Sequence, residues 1–100
     1  MFKSLLLLPF LATAALAADD YKLGPDSQPN PNVPQGKVEK FTFDKSKIFP
    51  GTTRDYWVYV PKQYDAAKPA CLMVFFDGSG YVKPDGQSRV PVVFDNLIAK

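Results

Sequence analysis

The run Ala70-Cys71-Leu72-Met73-Val74-Phe75-Phe76 constrains the fold of this chain more than any other feature: seven apolar residues, preceded by Pro69 and closed by Asp77-Gly78. Seven residues is short for a helix, and no polar position marks a wet face, so the run predicts a strand buried on both sides. Strands of that type belong to sheets covered by helices, which sets the expected fold class as α/β.

The neighbouring segments agree with a sheet. In VEKFTF, Val38 to Phe43, the side chains of Phe41 and Phe43 fall on one face and those of Lys40 and Thr42 on the other, the period of a half-buried strand. A second short strand is expected around Lys47 to Phe49, running into the turn dipeptide Pro50-Gly51. RDYWVYV, Arg54 to Val60, is the clearest strand. It sends Tyr56, Val58 and Val60 to one face and Trp57 and Tyr59 to the other, and Pro61 ends it. Both faces carry apolar surface, so each side should be covered. The economical reading is a β-hairpin over 38–60, a connecting loop over 62–69, the buried strand, and an irregular loop over 77–89. The period then changes. Val90, Val93, Phe94, Leu97 and Ile98 recur at helical spacing, with Pro91 in the tolerated first turn, so an amphipathic helix is expected there.

Ahead of these elements the sequence is of another kind. Lys3, the apolar stretch Leu5 to Leu16 and the small-residue pattern Ala15-Leu16-Ala17 read as a signal peptide cleaved after Ala17. A membrane-spanning helix needs about 20 apolar residues, and Asp19-Asp20 arrive too soon for one. Secretion or periplasmic export is therefore expected, with no membrane association after cleavage. Residues 18–37 include Pro25, Pro29, Pro31 and Pro34, which remove amide donors and leave neither helix nor central strand available. They read as an extended linker.

Export permits disulfides, but Cys71 is the only cysteine. Its place at the head of the apolar run makes it a buried thiol acting as a small hydrophobe rather than a nucleophile. The net charge is +2 without any basic block, and the positive residues are scattered among aspartates, which argues against nucleic acid as the partner. A 100-residue chain buries only about 60 to 65% of its unfolded surface. Residues 38–100 alone offer a doubly apolar strand and an amphipathic helix too few partners, so they are expected to be the front of a larger sheet.

YWVYVPKQYDAAKPACLMVFFDGSGYV, Tyr56 to Val82, followed by RVPVVFDNLIAK, Arg89 to Lys100, resembles the N-terminal part of an esterase family of α/β hydrolases, the enterochelin esterase and esterase D-like enzymes. The resemblance covers 38–100, and its distinctive pieces are VPKQYD and VFFDGSGY. It implies the first part of an α/β-hydrolase sheet, a small-molecule carboxylic ester as substrate and no cofactor. It also implies that the loop after the apolar strand helps to stabilise an oxyanion through backbone amides. The candidate donors are the amides of Gly78 and Ser79, with Asp77 and Tyr81 as substrate-binding candidates. Asp77-Gly78 is equally readable as a simple turn after a strand.

Departures from the family pattern are plain. Its nucleophile lies in Gly-x-Ser-x-Gly, whereas the residues two before and two after Ser79 are Asp77 and Tyr81, and the chain has no histidine. No Ser-His-Asp triad can be composed from these residues, so the isolated chain is expected to be inactive. A calcium loop starting at Asp77 fails at its sixth and twelfth positions, Val82 and Ser88. Asp77 and Asp85 both precede glycine and read as turn residues rather than a glycosidase pair. Zinc lacks ligands. The alternative function is a small secreted β-rich binding module that uses the Tyr56, Trp57 and Tyr59 strip or the 77–89 loop as its contact surface.

Overall fold

The computed structural model describes residues 22–100, so the expected signal peptide lies outside the described residues. The elements in chain order are a short 3-10 turn at Pro25–Ser27, strands β1 (Lys37–Phe43) and β2 (Arg54–Val60), and helices α1 (Gly78–Val82) and α2 (Val90–Ile98). Content is mixed α/β, around a two-stranded antiparallel sheet.

The hairpin is formed as its alternation predicts. Its register runs from Lys37 opposite Val60 to Phe43 opposite Arg54, with Lys40 opposite Trp57 and Phe41 opposite Tyr56. The connection turns at Phe49-Pro50-Gly51-Thr52. The Thr52 amide donates to the Phe49 carbonyl at 3.3 Å, and Gly51 takes φ 81°, the positive value that a type II turn demands of its third residue. The expected strand at 47–49 does not form. Ser46 Oγ accepts the Phe49 amide at 3.0 Å, which commits that donor to the turn, and Pro50 has no amide to extend a ladder.

Strand alternation divides the hairpin into two unlike faces. Val38, Lys40, Thr42, Asp55, Trp57 and Tyr59 share one face, on which the helices pack: Gly78 sits against the Trp57 ring, and Phe94 meets Tyr59 edge-on at 5.8 Å. The opposite face stays open, with Phe41, Phe43, Tyr56 and Val58 all exposed. The expectation that both faces are covered therefore holds for one face only.

The apolar run is the largest correction. Residues 70–76 form no strand, and Leu72, Val74 and Phe76 are 87%, 67% and 88% exposed. A doubly buried strand needs a ladder partner and a cover on each face, and the described residues supply neither, since β1 and β2 pair only with each other. Cys71, expected to be buried, is exposed for the same reason. Among the described residues no hydrophobic side chain is buried.

Two further segments differ from expectation. The 77–89 loop contains α1, a single helical turn. The Pro-rich segment, expected to be an extended linker, carries the 3-10 turn with Pro25 at its first position, where a missing amide costs nothing. That segment also lies against α2 through hydrogen bonds across 59 to 70 residues of sequence. The helix over 90–98 forms as its periodicity predicts.

Candidate functional site

The residues singled out in the sequence gather around α1. Asp77, just before the helix, takes a left-handed conformation with φ 62° and ψ 47°, which aspartate tolerates better than most side chains. It reverses the chain so that Gly78 starts a helical turn. The Gly80 amide donates back to the Asp77 carbonyl at 3.1 Å. Helical geometry gives the first amides, those of Gly78 and Ser79, no acceptor within the helix. Asp77 makes no capping hydrogen bond with its side chain.

Packing fixes this turn from behind. A Cβ on Gly78 would stand 3.3 Å from Trp57 Cε3, so the glycine allows a close approach of α1 to β2. Trp57 is itself held by Lys40, whose ammonium lies 5.4 Å from the ring centroid. On the far side the Tyr81 ring tilts against Phe75 at 5.1 Å, and Phe75 meets Phe94 of α2 at 6.3 Å. Tyr81 is 37% exposed and stands at the rim, while Asp77 and Ser79 face solvent. Gly78, Ser79 and Tyr81 thus share one short helix. Among the described residues no group of three acidic, cysteine or histidine side chains is placed to hold a metal.

The supposed aromatic strip is split. Tyr56 lies on the open face, stacked on Phe41 with centroids 5.3 Å apart and planes 20° from parallel. Trp57 and Tyr59 lie on the face beneath the helices.

Sequence reasoning missed a polar cluster beside α1. Asp95 and Asn96, 8% and 7% exposed, are the buried residues of the described chain. Asp95 Oδ1 accepts from the Gly36 amide at 2.7 Å and from the Tyr59 hydroxyl at 2.8 Å. Burial, then the hydrogen bond to Asp95 and its negative charge, push the Tyr59 phenol well above its ordinary value. Asn96 Nδ2 donates to the carbonyls of Asp26 and Gln28, both at 2.8 Å. The Arg89 guanidinium reaches the carbonyls of Gly86 at 2.8 Å, Asp85 at 3.2 Å and Ser27 at 3.3 Å. Beside this junction Ser27, Gln87, Ser88 and Val93 line an open depression of about 360 Å³. The one sequence signal for the cluster was chemical: a Pro-rich segment keeps its carbonyls while losing amides, so it calls for donors such as Asn and Arg.

No protein-family model matches the chain, and no curated protein or solved structure matches it significantly.

Proposed function

We propose that this chain is the front of a secreted serine esterase of the α/β-hydrolase class, acting on carboxylic esters in the manner of the enterochelin esterase-like enzymes. The observation that carries this reading is the exposed apolar segment 72–76 leading directly into the Asp77 bend and the α1 turn. A strand sequence left unpartnered wants a neighbouring strand and a helical cover, which further chain of an α/β domain would supply. At its end the Gly78 and Ser79 amides start a helix, in the arrangement that stabilises charge developing on an ester carbonyl oxygen. Asp77 and Tyr81 border that point and contact the substrate. The nucleophile, acid and histidine base come from other sequence, and the reaction calls for no cofactor.

The aromatic pair Phe41 and Tyr56 on the open hairpin face favours a second reading, a secreted binding module with no catalytic activity.

The intact mass of the natural secreted product, detected through the peptide Asp55 to Lys62, separates the two. A mass about three times that of this chain or more, the size of a full hydrolase domain, is the expected result. A mass matching residues 18–100 would overturn the esterase reading in favour of the module. The purified chain alone should hydrolyse no ester above background, and turnover lost in Ser79→Ala would overturn the backbone-only role given to Ser79.

A further inference from the structure

We propose that residues 24–36 are a strap latched onto α2, and that its docking positions the 83–89 loop and, through that loop, the α1 turn. This inference is independent of any esterase activity. It rests on the contacts alone.

The strap is held at three points, and polar groups do the holding at each. At its start, Asp26 pairs with Lys100 at 2.7 Å, and the Asn96 carboxamide spends both hydrogens on the carbonyls of Asp26 and Gln28. Between those two carbonyls, Arg89 takes that of Ser27. At its end, the Gly36 amide donates to Asp95. The chemistry is matched. Four prolines leave the strap rich in acceptors and poor in donors, and Asn96 of α2 and Arg89, the residue just before it, are the donors that face it.

The strap is also built to come away as a unit. No apolar side chain is buried beneath it among the described residues. Asn96 Oδ1 is buried without a partner, a cost that docking bears and release would remove. The ion pair is exposed, with 63% and 44% of its side-chain surface open, so salt screens it.

Arg89 carries the coupling. Its guanidinium grips Ser27 of the strap together with Asp85 and Gly86 of the loop, while its own backbone sits at φ 35°, an unfavourable value for arginine. Gly86 in turn donates to the Lys83 carbonyl at 3.2 Å, and a Cβ on it would lie 3.5 Å from the Gly80 carbonyl of α1. Hydrogen bonds therefore run from Ser27 through Arg89 and Gly86 to Lys83, the residue that ends α1. Arg89 acts as a positioning residue and touches no substrate. Release of the strap should leave the loop and the two leading amides of α1 less firmly placed.

Residue-resolved hydrogen exchange on the whole chain tests this. In Asn96→Ala the amides of Gly36, Gly80 and Gly86 should exchange on the order of tenfold faster together, the scale expected for two lost hydrogen bonds. The β1 and β2 ladder amides should stay unchanged. Lys100→Glu should give a smaller version of the same pattern, reversed by adding Asp26→Lys. If Asn96→Ala also speeds the ladder, Lys100→Glu decides by the same comparison. Faster strap exchange with an unmoved loop would overturn the coupling, and unprotected exchange at Gly36 in the unaltered chain would overturn the latch.

Discussion

The hydroxyl of Tyr59 donates to Oδ1 of Asp95 at 2.8 Å, and that same oxygen accepts the amide of Gly36 at 2.7 Å. Strand, helix and strap meet at one carboxylate oxygen. Burying a carboxylate is unfavourable unless donors replace water, and here two donors do so. Polar complementarity therefore organises the described part of this chain, where a larger domain would use an apolar core.

Replacing Tyr59 by Phe removes one of those donors and leaves Asp95 with Gly36 alone. Because the acceptor is ionisable and buried, the loss should lower the unfolding free energy by about 1.5 to 3 kcal/mol. Urea denaturation of the two chains, read from Trp57 fluorescence, measures it. An unchanged midpoint would mean that the contact is not made in solution.

The same pair predicts a loss of stability in base. Burial first, and then Asp95, raise the Tyr59 phenol above its ordinary value of 10.0, so folding favours the protonated hydroxyl. Below pH 10 the benefit is fully present. As the pH rises beyond that value, the unfolded chain releases the proton and the folded chain does not, so the benefit is lost. Tyr59→Phe should lack this step. A phenolate titration should show one of the five tyrosines ionising later than the others.

Gly36 is required for lack of room. A Cβ there would overlap the Tyr59 ring and stand 2.8 Å from the Val60 carbonyl oxygen, a backbone atom that cannot swing away. Gly36→Ala should therefore cost about 1 to 3 kcal/mol as an overpacked site. Gly24→Ala is the matched control, since nothing lies within 4 Å of its Cβ, and it should be close to neutral. Equal effects in the two variants would remove the packing argument.

Asp55 offers a test of the hairpin surface. Its hydrogen bond from Lys40, and then that from Thr42, hold its carboxyl below the ordinary value of 3.8. The deprotonated form is the one favoured by folding, so the contribution is present above that value and fades as pH falls through the lowered one. An NMR titration should find the Asp55 value moving up toward the ordinary one in Lys40→Ala, with the Thr42 hydrogen bond still holding part of the shift. With 56% and 42% of their side-chain surfaces open to water, Lys40 and Asp55 form a register marker and a negligible source of stability.

How much of this was legible in sequence depends on the kind of force involved. The hairpin was, because Phe41/Phe43 and Trp57/Tyr59 write a period of two directly into the chain, and α2 was, because Val90 to Ile98 write a helical one. The Pro50-Gly51 turn followed from the dihedral needs of its own two residues. What was not legible depends on partners distant in sequence. The latch joins Asn96 to Asp26 and Gln28 across 70 and 68 residues, and no local pattern carries such a pairing. Residues 70–76 fail for the opposite reason: their composition predicts a doubly buried strand, which needs a ladder partner and a cover on each face, and among the described residues the sheet pairs β1 with β2 and leaves the segment outside it. The candidate site was legible as a set of neighbours, Asp77 to Tyr81, while its backing by Trp57 and Phe75 was not.

The exposure of 70–76 gives the most direct check on the fold. If Phe76, 88% exposed, touches little, then Phe76→Ser should change the unfolding free energy by less than about 0.5 kcal/mol, the range of ordinary surface substitutions. Cys71, also exposed, should react with a thiol reagent in the folded chain as fast as in urea. The two measurements reinforce each other because they read opposite ends of the segment by different chemistry. A loss near 3 kcal/mol in Phe76→Ser, together with a protected thiol, would mean that the segment is packed in solution against a partner surface. That outcome would restore the buried strand which its seven apolar residues call for.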